Sequence, residues 1–197
     1  EGSLTFDKAR FGVGEVSFYE VSMRATTAMA TRVTVAENLS FVDNTCGQFD
    51  FSQLKVEGTA NFSGSSFDKV PDFRDAKFDR PPEVAGMVVP RPKLEGWNSL
   101  AIDREDVAKY RKLKSMALAA NDHEKDGEFF AGEMLAKRGT ETTSSTGLLF
   151  NTLYWKLSDF GQAFPLPVWW MFRTILLFAA VNVAVISIGM PATLATI

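Results

Sequence analysis

The chain has 197 residues, one cysteine and a formal net charge of −3, which suits one domain plus an anchor. Acids and bases are spread evenly, so no basic face is available to nucleic acid. Cys46 alone excludes an internal disulfide and suits a reducing compartment.

From Phe6 to Phe78 the apolar residues follow neither the strand period nor the helix period; they recur every five residues. One column reads Phe6, Phe11, Phe18, Met23, Ala28, Val33, Phe41, Cys46, Phe51, Val56, Phe62, Phe67, Phe73 and Phe78, with slips of one to three residues between blocks. Two positions before each lies a second column, mostly small or apolar, including Ala9, Val16, Leu39, Leu54, Ala60, Ser65 and Ala76. A short fixed period with two inward columns and polar residues elsewhere is what a stacked solenoid needs. Cys46 falls in an inward column and reads as core.

Ala60-Asn-Phe-Ser-Gly64, Ser65-Ser-Phe-Asp-Lys69 and Ala76-Lys-Phe-Asp-Arg80 resemble units of the pentapeptide-repeat family. The resemblance implies a β-solenoid over residues 1–80, a right-handed four-sided β-helix of three to four coils. The match is degenerate, because Asn44 and Pro71 occupy the small-residue column, and Ala28, Val33 and Cys46 stand where Phe or Leu is usual. An irregular β-helix or a small sandwich is the alternative. Strongly acidic members of the family mimic DNA; a chain of net charge −3 is a poor polyanion.

Pro81-Pro82 is expected to end the repeats, since proline cannot donate to a ladder. A Pro- and Gly-rich bridge over 81–102 follows, in which Trp97 is available to plug the open end of the solenoid. A helical hairpin is predicted over 103–138. Asp103 is the expected N-cap of its first helix, and Val107, Tyr110, Leu113 and Ala117 form an apolar stripe. The second helix restarts with Asn121 and Glu124 at capping-box spacing, carries Phe129, Phe130, Met134 and Leu135, and stops at Lys137-Arg138-Gly139. The hairpin and the segment Leu153-Tyr-Trp-Lys-Leu-Ser-Asp-Phe-Gly161 are similar to stretches that follow the repeats in membrane-bound pentapeptide-repeat proteins of bacteria.

His123 stands among Glu124, Asp126 and Glu128, but there is no second histidine and no HExxH spacing. A solvated helix start accounts for these acids. No catalytic set, phosphate loop, metal site or cofactor site can be assigned, so an enzyme is not expected.

Residues 139–147, Gly-Thr-Glu-Thr-Thr-Ser-Ser-Thr-Gly, read as a flexible linker. Residues 148–163 read as a helix lying in a membrane interface, with a partner-binding helix in water as the alternative. Residues 164–190 are the expected transmembrane helix, and 191–197 a tail. Eleven Val, Ile, Leu and Phe residues between Val168 and Met190 favour insertion by roughly 3 to 7 kcal/mol. A buried core helix is the competing reading. Tyr154, Trp155, Trp169, Trp170 and Arg173 are the candidate membrane-interface residues, and Pro165 and Pro167 are expected to turn the chain into the span. Asn182, deep in the apolar run, is the candidate contact to another membrane helix. Lys137, Arg138, Lys156 and Arg173 all precede the run, and nothing basic follows it, so the head is expected in the cytoplasm. Because residue 1 is Glu, a processed or trimmed chain is expected, and the lack of a leader carries no weight.

These features predict a membrane-anchored scaffold in the inner membrane of a bacterium, whose partners are the lipid bilayer and other membrane proteins. The alternatives are part of a channel or transporter with further spans, and an enzyme or metal-binding protein built on His123.

Overall fold

The structure, a computed structural model, describes residues 3–163 and 165–189. Phe164 and Met190, at the limits of the expected span, and the expected tail 191–197 lie outside the described residues. The chain forms two compact units, Glu1–Asn151 and Thr152–Ile197.

The first unit begins with a parallel β-solenoid of about three turns. Each residue stacks on another 21 to 24 positions later, as Ser3 on Thr27 and Thr34 on Lys55. Four rows of parallel pairs result. Ser3–Thr5 pairs with residues 27–29, which pair with residues 48–50 and reach Asp72. Arg10–Phe11, Thr34–Val35, Lys55–Val56 and Lys77–Phe78 make the second row. Val16–Tyr19, Leu39–Val42 and Ala60–Asn61 make the third and reach Glu83. Residues 22–23, 45–46 and Ser66–Phe67 make the fourth and reach Val88. Ser22–Met29 and Thr45–Asp50 each bend round a corner and serve two rows.

The five-residue period follows from this geometry. Each side of the coil points one central residue and one small residue inward, and the intervening residues outward. Phe41, Phe51, Phe62 and Phe73 are fully buried. Central residues of successive coils pack ring against ring, face to face for Phe51 and Phe73 at 4.6 Å and 6°, and tilted for Phe41 and Phe62 at 6.2 Å and 49°.

Two corners are built from residues with left-handed backbones. Lys8, Arg32, Gln53 and Asp75 form one such column, with φ between 57 and 59°. Glu20, Asp43, Gly64 and Gly86 form the other. At the second corner the ladder cannot satisfy every backbone group, and the inward polar residues do so instead. Asn44 accepts from the Val21 N–H at 2.8 Å and donates to the Phe18 carbonyl at 2.9 Å. Ser65 accepts from the Asn44 N–H and donates to the Phe41 carbonyl. Asn44 therefore departs from the repeat because it satisfies buried backbone groups at a corner.

The prolines at 81–82 do not end the solenoid. The Glu83 N–H donates to Ala60, Phe62 donates back to Glu83, and Val88 donates to Ser65, all within 2.8 to 2.9 Å. Val84 and Met87 are fully buried, and Pro82, two positions before Val84 in the small-residue column, is buried as well. A proline fits there because it lies in register with Ala60, at the first position of its row and on the last coil, where its missing N–H breaks no ladder bond. The bridge expected over 81–102 is thus partly another coil.

A helical hairpin closes the far end of the solenoid. Helix α1 spans Asp106–Ala119 and helix α2 spans His123–Ala136. Val107, Tyr110, Leu113, Met116, Ala117 and Phe129 join one apolar core with the solenoid residues. Lys112 Nζ donates to the Ala76 carbonyl at 2.6 Å, and Tyr110 Oη donates to the Pro90 carbonyl. This is the cap that an open ladder end requires. Trp97 does not serve as the plug: it is fully exposed.

The helix ends differ from expectation by a few residues. Asp103 accepts from the Glu105 N–H two positions on and forms a turn ahead of α1. Asp122, not Asn121, caps α2 by accepting from the Lys125 N–H, while Asn121 takes a left-handed backbone to join the helices. Residues 139–147 are not a flexible linker. Their first half folds back on the end of α2, with Glu141 and Thr142 both donating to the Lys137 carbonyl, and helix α3, Ser145–Ser158, starts within them.

Gly132 is the close-approach point between the two helices. A Cβ built there overlaps the ring of Tyr110, whose hydroxyl is already bonded. Gly132→Ala is expected to destabilise the first unit by about 2 kcal/mol, as overpacking does. Urea unfolding followed by far-UV circular dichroism measures this, and an unchanged midpoint would contradict the packing.

Candidate functional site

Among the described residues of the first unit, His123 and Cys46, the two side chains best suited to chemistry, stand in different surroundings. His123 is exposed at the start of α2. No group of three metal-ligating residues occurs among the described residues. Cys46 is buried, and burial, with Asp68 nearby, pushes its thiol up to about 12, so it is not a thiolate nucleophile. A cavity of about 240 Å³ beside the start of α1 is lined by Lys69, Arg91, Lys93, Asp103, Asp106 and Lys109, among others. Burial pushes the Asp106 carboxyl above its ordinary value, and Lys109, 3.2 Å away, pulls it back. Its lining has no nucleophile beside a base.

The second unit has a different character. It runs from the last turns of α3 through a tight turn into helix α4, Pro165–Gly189. The turn is made by Ser158, Asp159, Phe160 and Gly161. The last three have left-handed backbones, with φ of 48, 56 and 90°. Such a backbone costs a bulky residue about 1 to 2 kcal/mol. Phe160 offsets this by burying its ring, edge-on to Tyr154 at 5.3 Å. Ser158 Oγ accepts from the Gly161 N–H and donates to the Tyr154 carbonyl, so the hydroxyl ties both sides of the turn. The prolines do not make this bend. Pro165 and Pro167 lie inside the first turn of α4, where their missing N–H groups go unmissed.

The expected interface residues fall on either side of this turn. Tyr154 is 46% exposed, and Lys156 Nζ lies 4.4 Å from the Trp155 ring. On α4, Trp169 and Trp170 are exposed, and the Arg173 guanidinium lies 5.2 Å from the Trp170 ring. This pairing draws the cation back along the helix toward its N-terminal end, the direction in which it would snorkel.

Beyond Arg173 every described residue of α4 is exposed, Leu176, Leu177 and Phe178 included. The helix is long and apolar enough to cross a membrane, and none of that stretch is buried in the protein. Its 25 residues give about 37 Å at 1.5 Å per residue, against a hydrocarbon core of about 30 Å. Asn182 Nδ2 donates to the Phe178 carbonyl at 2.8 Å, so the helix itself satisfies one of its amide donors. The amide needs less help from a neighbouring helix than a wholly unbonded one would.

Two features of the described residues were not legible beforehand. Phe160 looks like one more aromatic in an aromatic-rich run, and only its backbone angle marks it. Arg138 reads as a basic helix end, yet it is buried and all three guanidinium nitrogens donate.

Comparisons with protein-family models, curated proteins and solved structures give no significant match.

Proposed function

We propose that this chain is a membrane-anchored docking protein without catalysis of its own, a bacterial pentapeptide-repeat protein whose head lies on the cytoplasmic side of the inner membrane. The observation that carries the anchor is α4, a long apolar helix uncovered by protein in a chain whose solenoid and hairpin residues share one packed core. A helix apolar all round is a core helix or a membrane span, and α4 has no core around it. The five-residue period and the four parallel rows support the repeat assignment. A stiff, flat-sided rod with no nucleophile–base pair among the described residues suits docking better than chemistry. Arg173 with its Trp pair marks the cytoplasmic boundary, and the bases ahead of α4 set the orientation.

A role as one part of a channel or transporter is the second reading. Asn182 favours it, since a polar side chain midway along an apolar helix is suited to a contact with another membrane helix.

Washing membranes with alkaline carbonate tests the anchor. The protein is expected to stay in the pellet, and release into the supernatant would overturn the proposal. Protease added to right-side-out vesicles is expected to spare residues 1–160; their digestion would reverse the orientation.

A further inference from the structure

Trp97 is the most exposed large apolar side chain among the described residues of the first unit, with a relative exposure of 100%. It lies at the tip of a short hairpin whose strands are Leu94–Glu95 and Leu100–Ala101. The tip is held firmly. Arg138 Nη2 donates to the Asn98 carbonyl and Nε to the Ser99 carbonyl, each at 2.7 Å. The Ala101 N–H donates to the Arg138 carbonyl at 2.9 Å. An indole held in water on a pinned turn adds nothing to folding, so its exposure calls for another explanation.

The third nitrogen of the same guanidinium gives that explanation. Arg138 Nη1 donates to Asn151 Oδ1 at 2.7 Å, and Asn151 Nδ2 donates to the Met134 carbonyl at 3.1 Å. One buried cation therefore fixes the hairpin tip and helix α3 side by side. Trp97 and Phe150 each immediately precede a residue that Arg138 holds. Leu149 and Phe150 are 56% and 69% exposed, and no residue of α3 is buried. Three large apolar side chains, each within two residues of one that this clamp holds, are thus left uncovered. The clamp also satisfies the backbone carbonyls of the tip, leaving the indole as the part of the turn that meets the surroundings.

We infer that Trp97, with Leu149 and Phe150, forms a second lipid contact, by which the folded head rests on the headgroup layer. This rests on the proposed membrane anchor, whose chain runs on from α3. An indole with an apolar body and one N–H donor suits the boundary between headgroups and acyl chains. A protein partner would also cover such a group. The lipid is favoured because α3 itself continues in sequence to the apolar helix, so a bilayer is the surface that the anchor brings within reach.

The test uses the full chain with Trp155, Trp169 and Trp170 changed to Phe, leaving Trp97 as the one indole. It is reconstituted into phosphatidylcholine–phosphatidylglycerol vesicles. Lipids brominated high on the acyl chain are expected to quench Trp97 by at least half. Lipids brominated near the chain ends should quench it little, and aqueous iodide should reach it far less than in the urea-unfolded chain. Carbonate washing of the same vesicles reads the anchor separately. Resistance to carbonate with an indole that iodide quenches fully overturns this inference and leaves the anchor standing. Release by carbonate overturns both. Protection from iodide without quenching by either lipid means that protein covers Trp97, and this too overturns the lipid contact. Trp97→Ala in the same vesicles, with an unchanged circular dichroism spectrum, is expected to make the Arg91–Arg104 stretch more open to trypsin. Equal digestion would count against the contact.

Discussion

Phe41→Ala is expected to lower the unfolding free energy of the first unit by about 3 to 5 kcal/mol, the range for emptying a buried phenylalanine site. Phe41 is 1% exposed, and its ring touches more of the solenoid core than one coil. Its centroid lies 5.8 Å from Phe18 in the preceding coil, 5.4 Å from Phe51 in its own, and 6.2 Å from Phe62 in the next. Removing it leaves a cavity that parallel ladders on every side keep from collapsing, so the cost belongs toward the upper end. Folded domains are stable by only about 5 to 15 kcal/mol, so this one change consumes a large share. Denaturant unfolding of the head, followed by circular dichroism, measures it. Phe18→Ala, at a half-buried site in the first coil, should cost visibly less. Equal losses at the two sites would mean that the coils do not share one core.

Glu133→Ala should cost about 3 kcal/mol, the low end for breaking a buried ion pair. Glu133 is 2% exposed and accepts from three cations: Lys114 and Lys137 at 2.6 Å, and Arg111 at 3.1 Å. The low end applies because Arg111 is about half exposed and can turn to water. The same cluster sets a pH dependence. Burial acts to raise the Glu133 carboxyl, but the hydrogen bonds from Lys114, Lys137 and Arg111 outweigh it and hold the group below its usual 4.5. The folded state therefore binds this proton less readily than the unfolded state does. Its stabilisation is present in full above about pH 4.5 and is lost as pH falls through the folded value. Unfolding curves of wild type and Glu133→Gln should differ at pH 7 and converge toward pH 3. A constant gap across that range would show that the carboxylate charge is not what matters.

The solenoid was legible because its period is short and repeats many times. Each residue of the columns ending at Phe78 and Ala76 is an independent vote for the same inward direction, so degenerate positions do not obscure it. The stop at Pro81-Pro82 was misread for a local reason. Proline forbids a ladder donor wherever one is needed, and residue spacing alone does not tell the first position of a row from its interior. The caps of α1 and α2 differ from expectation by two residues and one residue, because Asp103, Asn121 and Asp122 all carry suitable oxygens. Which of them accepts depends on backbone angles, such as the left-handed turn at Asn121.

The apolar run was equally plain, since length and composition alone decide whether a helix can cross a membrane. Its surroundings were not. A charged residue reads as exposed in a sequence, yet Glu133 and Arg138 are buried, because partners distant along the chain meet them there. A tryptophan reads as core, yet Trp97 is in the open, because the helices already pack against the solenoid core and Arg138 holds the hairpin tip by its backbone carbonyls. Periodicity reports how each segment is solvated on average. Which buried charge finds its partners, and which apolar side chain is left without cover, depends on contacts between residues far apart in the chain.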